Sequence, residues 1–417
     1  MGFCPQCGNS EPLVEISERI STKVKPATSV PVSKAAFSEA DRSATGWEEI
    51  DRVLGGGTVR GSVLLLGGEP GVGKSTLLLQ LAGAIAQQGT KVLIASAEES
   101  VQQVALRASR LGIASDLVEL IANENVDAIV ALAEQTRPGL LVIDSVQTVG
   151  VPEITAAPGG VAQVRESAAR LIRLAKTTGI TVVLVGHVTK EGGLAGPKIL
   201  EHMVDVVLYL EGDPDRGFRV LRSTKNRFGA THVSGMFDMR SDGLVDVDDP
   251  SKMFLHGWES EVPGTVVFPA VEGRRSVLVE IQALVAPTSQ TQPRRSIRGL
   301  EPARVNQVIA VLDRHADLQV QDKEVYVNVV GGWRIDEPGC DLPVALAIAS
   351  SALDLPLGKV AAWGEIGLAG EVRSIPFEVR RVEELNRMGL DNRIAPGAGE
   401  PMRLADALGR AGLRPGH

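Results

Sequence analysis

The sequence of 417 residues has few aromatic residues and few cysteines. Phe, Trp and Tyr together make up 3% of the chain, whereas apolar residues as a whole reach 44%, so its cores must be built mainly from aliphatic side chains. Three cysteines do not make the disulfide framework of a small secreted domain, and no apolar run is long enough to span a bilayer. The first residues also lack the basic and then apolar pattern of a signal peptide. These absences predict a cytoplasmic protein without a membrane partner.

An excess of positive charge is also missing. The formal net charge is −8 at pH 7, which argues against a protein that coats nucleic acid through bulk charge. A local basic channel is still compatible with this value.

Changes in composition divide the chain into three segments, and this length suits two or three domains. Residues 1–35 are polar, with little periodicity. In residues 36–250, short apolar runs alternate with amphipathic stretches, which predicts an α/β domain with a parallel sheet. Residues 251–417 contain turn-rich sequence, strands, an Ala-rich helix and a polar loop at 286–296, which predicts a separate α+β domain.

The segment GEPGVGKS, residues 68–75, has the pattern G-x-x-x-x-G-K-[ST] of a phosphate-binding loop. It follows a predicted strand at 62–68 and opens a predicted helix at 75–89, which is the context that the motif requires. Glycines let backbone N–H groups face the phosphates, and the helix N-terminus adds its positive end. Lys74 would reach the β- and γ-phosphates, and the Ser75 hydroxyl would bind Mg²⁺. The predicted ATP-binding residues are Gly68, Glu69, Pro70, Gly71, Val72, Gly73, Lys74, Ser75 and Thr76.

Carboxylates end two other predicted strands. Asp144 ends the apolar run LLVID, where a second carboxylate could hold the Mg²⁺ shell. Glu98 and Glu99 end the strand after the first helix, and a carboxylate there could orient or deprotonate an attacking water. Both glutamates could instead cap the next helix. The residues alone therefore do not decide between a catalytic and a capping role for either glutamate.

Seven segments together carry a resemblance to a known family. They are TGWEEIDRVLGGG, GGEPGVGKSTL, SAEES, LLVIDSVQT, APGGVAQVRE, GHVTKEGGLAGPKILEHMVD and STKNRFG. They resemble the family of the bacterial DNA repair protein RadA, also called Sms, over nearly the whole chain. KNRFG is the most specific segment, because it distinguishes this family from RecA itself and from the clock ATPase KaiC. The resemblance implies a RecA-like ATPase that uses ATP, forms a hexameric ring on single-stranded and branched DNA, and drives branch migration beside a RecA-type recombinase.

The resemblance also implies roles for residues that are ambiguous by themselves. Glu98 matches the catalytic glutamate of the RecA family, which favours it over Glu99. His187 matches a residue that senses the γ-phosphate, and Lys190 and Lys198 would lie in a loop that lines the DNA channel. The alternatives are a satisfied strand-end histidine and a solvated surface loop.

The segment STKNRFGA, residues 223–230, brings Lys225 and Arg227 together around an asparagine. In RecA-like rings such cations face the ATP of the neighbouring subunit, so both are predicted to stabilise transition-state charge in trans. The same cations could contact DNA phosphates, with Phe228 beside a base. The third alternative is a charged turn in which Gly229 supplies an unusual dihedral angle.

The N-terminal CPQCG is half of a zinc site. Zinc in a tetrahedral site is bound by four ligands. The resemblance implies a four-cysteine finger, of which this sequence has Cys4 and Cys7. The only other cysteine, Cys340, lies far along the chain, and none of the six histidines is near the N-terminus. We therefore expect one chain not to close a zinc site, although two chains could share an ion or the sequence could begin within the finger.

The segments YVNVVGG, EPGCDLPVALAIASS and GEIGLAGEVRSIP resemble the protease domain of Lon. This raises a rival function, ATP-dependent proteolysis by a Ser–Lys dyad. The matching positions hold Cys340 and Arg381, and arginine is a poor base because it stays protonated. We expect an inactive Lon-like domain that holds a ring together and offers DNA a basic surface, and a KaiC-like regulatory ATPase is the second rival. The basic candidates are Arg294, Arg295 and Arg298, followed by Arg304, Arg314, Arg380 and Arg381.

Overall fold

The computed structural model describes residues 29, 31, 42–186, 196–212, 217–231, 233–258, 261–273, 275–290, 292–397 and 402–414. The residues from Asp41 onwards form one compact unit. No helix in the described part of the chain is long and apolar enough to cross a membrane. The predictions for Cys4, Cys7, His187 and Lys190, and for the side chain of Lys198, fall outside the described residues. The backbone of Lys198 is helical, so its predicted place in a loop is wrong.

The elements of residues 42–254 alternate between strands and helices, as the sequence predicts. The central strands are short and rich in Val, Leu and Ile, which suits a sheet that is covered on both faces. In chain order these elements are β1 Arg42–Ser43, α1 Glu48–Leu54, β2 Thr58–Val59, β3 Val63–Gly68, α2 Lys74–Gln87, β4 Val92–Ser96, α3 Val101–Arg110, β5 Val118–Ala122, α4 Val126–Thr136, β6 Leu140–Asp144, α5 Val161–Thr178, β7 Thr181–Val185, α6 Gly196–Met203, β8 Val206–Glu211, β9 Phe218–Asn226, β10 Ser234–Arg240, β11 Gly243–Asp246 and α7 Pro250–Phe254.

Nine of these strands form one sheet, in the order β11-β10-β9-β8-β3-β7-β6-β4-β5. The six strands from β8 to β5 in that order are parallel to their neighbours. Alternate residues of β3 enter different cores, because successive side chains of a strand point to opposite faces: Leu64 and Leu66 join one core, and Val63 and Leu65 join the other. The α/β class with a parallel sheet is therefore confirmed.

The strands β9, β10 and β11 extend this sheet with antiparallel pairing. Gly68 of β3 lies opposite Leu210 of β8, which lies opposite Leu221 of β9. Farther along β9, Asn226 lies opposite Val206, at the other end of β8. The strand β9 thus runs from the side of the sheet at which β3 ends to the side at which β3 begins.

Residues 265–410 form a second layered structure around a six-stranded sheet. Its strand order is β14-β15-β13-β12-β16-β19, and a small sheet with the order β17-β18-β20 lies beside it. The elements are β12 Thr265–Glu272, β13 Arg275–Ala286, β14 Arg295–Arg298, α8 Pro302–His315, β15 Glu324–Val329, α9 Asp341–Leu353, β16 Ala361–Ala362, β17 Glu365–Ile366, β18 Glu371–Arg373, α10 Glu378–Arg387, β19 Arg393–Ile394, β20 Met402–Arg403 and α11 Leu404–Arg410.

The mixed pairing in this second sheet agrees with the predicted α+β class. The Ala-rich helix α9 packs on β12 and β13, and α8 packs on α9. One detail of the prediction is wrong: the polar segment 286–296 is not a loop throughout. Its end belongs to the edge strand β14, whose residues Arg295 to Arg298 pair in parallel with β15.

One apolar core continues from the first sheet into the second. The ring of Phe218 on β9 packs edge-on against Phe254 of α7, with ring centroids 4.9 Å apart, and both rings contact Trp333. On the same strand, Arg222 forms an ion pair with Glu272 of β12. The end of α7 and the strand β9 therefore attach the two sheets to each other.

Candidate functional site

The phosphate loop lies between β3 and α2, as the motif predicts. Gly73 precedes the first helical residue and has a φ of +111°, in the region that favours glycine. A Cβ on Gly73 would lie 2.5 Å from the Cε of Met239, and one on Gly68 would lie 2.6 Å from the Leu210 carbonyl oxygen. The positive φ explains the glycine at 73, since Met239 could move aside, and the contact with the backbone of Leu210 explains the glycine at 68. The free N–H groups of the first turn of α2, from Lys74 to Thr76, begin directly behind the loop.

Lys74 is held inside this loop. Only 5% of the residue is exposed, and its Nζ donates hydrogen bonds to the carbonyls of Gly68 at 2.9 Å and Glu69 at 3.0 Å. Burial lowers the pKa of Lys74, and the nearby carboxylates of Asp144 and Glu98 act in the opposite direction. The cation and the two predicted catalytic carboxylates therefore lie within electrostatic reach of one another.

Ser75 and Asp144 meet at the ends of their elements. The Ser75 hydroxyl donates a hydrogen bond to Oδ2 of Asp144 at 3.0 Å, and the peptide bond after Asp144 is cis. A hydroxyl and a carboxylate are the oxygen ligands that Mg²⁺ takes, and Mg²⁺ normally adds phosphate oxygens and waters to so small a protein set. No group of three or more His, Cys, Asp or Glu in the described ranges could hold a metal by itself. The pair fits Mg²⁺ that arrives with a nucleotide.

Glu98 and Glu99 have different partners in the structure. Ser145, the residue after Asp144, donates a hydrogen bond from its hydroxyl to Oε1 of Glu98 at 2.5 Å. Glu99 instead forms an ion pair of 2.5 Å with Arg107 on α3. Both residues lie beyond the end of β4, but only Glu98 is tied to the segment that carries Asp144. Sequence reasoning did not single out Ser145.

The cations of KNRFG lie at the far edge of the sheet. Lys225 donates hydrogen bonds from its Nζ to the carbonyls of Glu201 at 2.6 Å and His202 at 3.4 Å, in the last turn of α6, where a cation is stabilised by the helix dipole. Arg227 donates to Oδ1 of Asp205 at 3.2 Å. Burial, followed by the charge of Arg227, lowers the pKa of Lys225.

The register of β9 sets the distance between these cations and the phosphate loop of the same chain. Leu221 is level with Gly68 through β8, and Lys225 and Arg227 follow farther along. A register shift places Lys225 level with Val207, three residues from Leu210 on β8, and the Arg227 N–H donates to the Asp205 carbonyl, five residues from Leu210. At a rise of roughly 3.3 Å per residue, the cations lie about 10–17 Å beyond that level. Within one chain the two residues therefore lie far from their own phosphate site.

The rest of the motif forms a turn that packs against the start of the domain. The Phe228 N–H donates to the side chain of Asn226 at 2.9 Å, and the Asn226 amide donates to the Leu54 carbonyl at 3.2 Å. Arg42 donates to the Phe228 carbonyl at 2.7 Å, and the Phe228 ring packs against the core of the first sheet. The turn alternative is correct in this respect, but Gly229 does not have a left-handed φ, so the unusual dihedral angle expected there is wrong.

Cys340, directly before α9, and Arg381 of α10 are both buried. Burial raises the pKa of the Cys340 thiol, which opposes formation of a nucleophilic thiolate. Arg381 is 1% exposed, and its guanidinium donates hydrogen bonds to Glu337 and to the Pro269 carbonyl. A DNA-facing role for Arg381 is therefore wrong. The pair holds no base for proteolysis.

Four of the other predicted arginines differ in whether the protein already engages them. Arg304 pairs with the buried Asp341 through a hydrogen bond of 2.6 Å. Arg295 donates to the Gln321 carbonyl at 2.7 Å, which engages it in the protein. Arg294 and Arg298 instead line a groove of about 610 Å³ beside Tyr326 and Asn328 of β15, and neither has an ion-pair partner within the part of the chain that the structure describes. The cluster predicted at 294–298 is therefore not one surface.

Arg219, which the sequence did not single out, also contacts the phosphate loop. Its Nε donates a hydrogen bond to the Val72 carbonyl at 2.8 Å. The only signal in the sequence is a cation one residue into the apolar strand FRVL.

Several known proteins are similar to this chain. The AAA domain family matches residues 29–193. The chain is 43% identical over 412 residues to the DNA repair protein RadA of Bacillus subtilis, covering 95% of this chain and 89% of that protein. It is 45% identical over 409 residues to the DNA repair protein RadA of Escherichia coli, covering 97% of this chain and 89% of that protein. The crystal structure of the RadB recombinase has a TM-score of 0.40 at 22% identity, over 49% of this chain and 99% of that chain.

Proposed function

This chain belongs to the family of the DNA repair protein RadA, and from that premise we propose that it is a DNA-dependent ATPase motor. Its substrate would be ATP, and it would move single-stranded and branched DNA in recombination intermediates, together with a RecA-type recombinase. The observation that carries the proposal is the convergence of Lys74, Ser75, Asp144 and Glu98 at the end of the parallel sheet. A RecA-like P-loop fold with this set of groups is suited to phosphoryl transfer to water.

The chemistry follows from the charges of these residues. Lys74 would leave the loop carbonyls and bind the β- and γ-phosphates, while the loop and first-turn N–H groups of α2 surround them. Ser75 and Asp144 would hold Mg²⁺, which neutralises phosphate charge when bound. Glu98, held by Ser145, would orient the attacking water and accept its proton.

Lys225 and Arg227 would complete the site of the neighbouring subunit in a hexameric ring. They lie at the edge of the sheet opposite their own phosphate loop, as a trans-acting group requires. Lys225 also contacts the last turn of α6, the helix whose first turn contains Lys198 and which follows the predicted DNA loop with Lys190. A change at the γ-phosphate could therefore reach DNA through Lys225 and α6.

Arg294 and Arg298 offer a second place for DNA. Two guanidinium groups without an ion-pair partner among the described residues suit phosphate oxygens, and Tyr326 in the same groove has a ring face on which a base could stack. Arg295 would support the edge strand and not touch DNA.

ATP hydrolysis with and without a single-stranded oligonucleotide, at two salt concentrations, tests the proposal. We expect stimulation that weakens at the higher salt, since phosphate contacts release counterions. The Lys74→Ala protein, prepared in the same way, measures contaminating ATPase. Turnover that does not respond to DNA at either salt would contradict DNA dependence, and casein cleavage would favour the rival protease.

Glu98→Gln should separate ATP binding from hydrolysis. The amide keeps the shape of the side chain but cannot accept the proton of water, so we expect kcat to fall by about 10²–10⁴ with nucleotide affinity retained. Steady-state kinetics and equilibrium nucleotide binding measure the two quantities. The matched control is Glu99→Gln, which removes only the ion pair with Arg107. The role of Glu98 fails if both variants turn over ATP at similar rates.

A further inference from the structure

Arg219 is a buried cation that the proposed chemistry does not use. It is the second residue of β9, and 3% of it is exposed. Its Nε donates to the Val72 carbonyl at 2.8 Å, and its Nη1 donates to the Phe218 carbonyl at 2.8 Å. Val72 lies between two glycines of the phosphate loop. The guanidinium is therefore attached directly to the loop that would surround the phosphates.

The backbone around Arg219 leaves room for its side chain. A Cβ on Gly212 would lie 2.5 Å from the Cδ of Arg219 and 2.6 Å from the Phe218 carbonyl oxygen, so a larger residue at 212 would disturb both the arginine and the backbone beside it. A buried guanidinium is costly to desolvate unless its N–H groups are hydrogen-bonded. An apolar side chain of similar length would fill the same space at lower cost, so packing alone does not account for an arginine here.

The geometry of the peptide group indicates what this contact does. In a planar trans peptide, the carbonyl of one residue and the N–H of the next point in opposite directions. The peptide between Val72 and Gly73 has its carbonyl fixed towards Arg219. The Gly73 N–H is consequently directed away from Arg219. This peptide rotates about ψ of Val72 and φ of Gly73, and glycine restricts φ less than any other residue. The hydrogen bond from Arg219 therefore has an orientation to preserve.

We propose that Arg219 is a positioning residue for ATP: its hydrogen bond to Val72 fixes the orientation of the Gly73 N–H as a donor to the phosphates. The inference rests on the proposed ATPase function. Without the anchor, this peptide would sample other orientations, and binding of ATP would have to order it. Removal of the Arg219 side chain would therefore lower the affinity for nucleotide more than the rate of the chemical step.

The test compares Arg219→Met and Arg219→Lys with the matched control Arg222→Met. We expect Arg219→Met to raise the KM for ATP by about tenfold or more, with kcat changed by less than about threefold. Arg219→Lys should recover part of the affinity, because it keeps a cationic donor but not the planar fork. Arg222 is a cation of the same strand that pairs with Glu211 and Glu272. Its replacement should lower the melting temperature without raising KM.

Three outcomes bear on the proposal. The KM of each variant is measured well below its melting temperature. If Arg219→Met lowers the melting temperature but leaves KM unchanged, Arg219 is a structural residue and the proposal is overturned. If Arg219→Met does not fold, Arg219→Lys carries the test, and an unchanged KM in it would overturn the proposal. If the unaltered protein does not hydrolyse ATP, the proposed function has failed. Titration with a non-hydrolysable ATP analogue would then still test Arg219, and equal affinities in the variants would reject its role.

Discussion

Lys74→Ala is expected to abolish ATP turnover. The ammonium group of Lys74 lies inside the phosphate loop, where it donates to the carbonyls of Gly68 and Glu69. Removing a charge that faces the developing phosphate charge should lower kcat/KM by at least about 10²–10³. Burial already disfavours the charged form of Lys74, so the neutral replacement should not unfold the protein. Hydrolysis of ATP and thermal melting measure the two effects.

The control for this variant is Lys91→Ala. Lys91 is a surface residue that pairs with Glu119 at the edge of the sheet, and surface ion pairs contribute little. Turnover should be normal in the control. If Lys74→Ala hydrolyses ATP as well as Lys91→Ala does, the assignment of residues 68–75 as the phosphate site is wrong.

Lys225→Ala should bind ATP normally and lose most of its turnover and its motor activity on DNA. A trans-acting cation stabilises charge only in the transition state, and its loss is expected to lower kcat by about 10³ or more. The phosphate loop of the same chain is untouched, because Lys225 lies at the other edge of the sheet. Nucleotide binding, ATP hydrolysis and branch migration are the three measurements, and Arg240→Ala, which removes an exposed cation of β10, is the control.

Co-expression of Lys225→Ala and Lys74→Ala chains tests the trans assignment directly. A site formed by the phosphate loop of the first variant and the cation of the second would be complete. In randomly mixed rings, about a quarter of the sites would have this composition, because ring interfaces are head-to-tail. Turnover by the mixture, when neither variant is active alone, is the expected result. An inactive mixture of intact rings would contradict action in trans, and normal branch migration by Lys225→Ala would contradict both the trans and the DNA roles.

The sequence predicts the position of the phosphate-loop motif between a strand and a helix well, because the motif depends on local order. A strand, a glycine-rich turn and a helix follow one another, and the structure has them at β3, residues 68–73 and α2. The same holds for the position of Asp144 at the end of β6. The edge strand β5 and the helix α4 were not predicted, since the residues of β5 are only half-buried and do not form a continuous apolar run.

Other features depend on contacts that the sequence does not display. The choice between Glu98 and Glu99 rests on which side chain meets Ser145 and which meets Arg107. Arg295 and Arg298 belong to one strand but face different surroundings, because the two have opposite parity along it. Arg219 lies 147 residues from Val72 in sequence, and only the pairing of β9 with β8 brings them together.

The continuous apolar core has a consequence for how the chain can be divided. Phe218 and Met236 belong to the first sheet, yet their side chains are buried in the core of the second. A fragment that ends near residue 250 would expose these side chains to water, and such exposed apolar patches promote aggregation. The two halves should accordingly denature in a single cooperative transition, and an ATPase fragment that stays monodisperse would need polar replacements on β9 and β10.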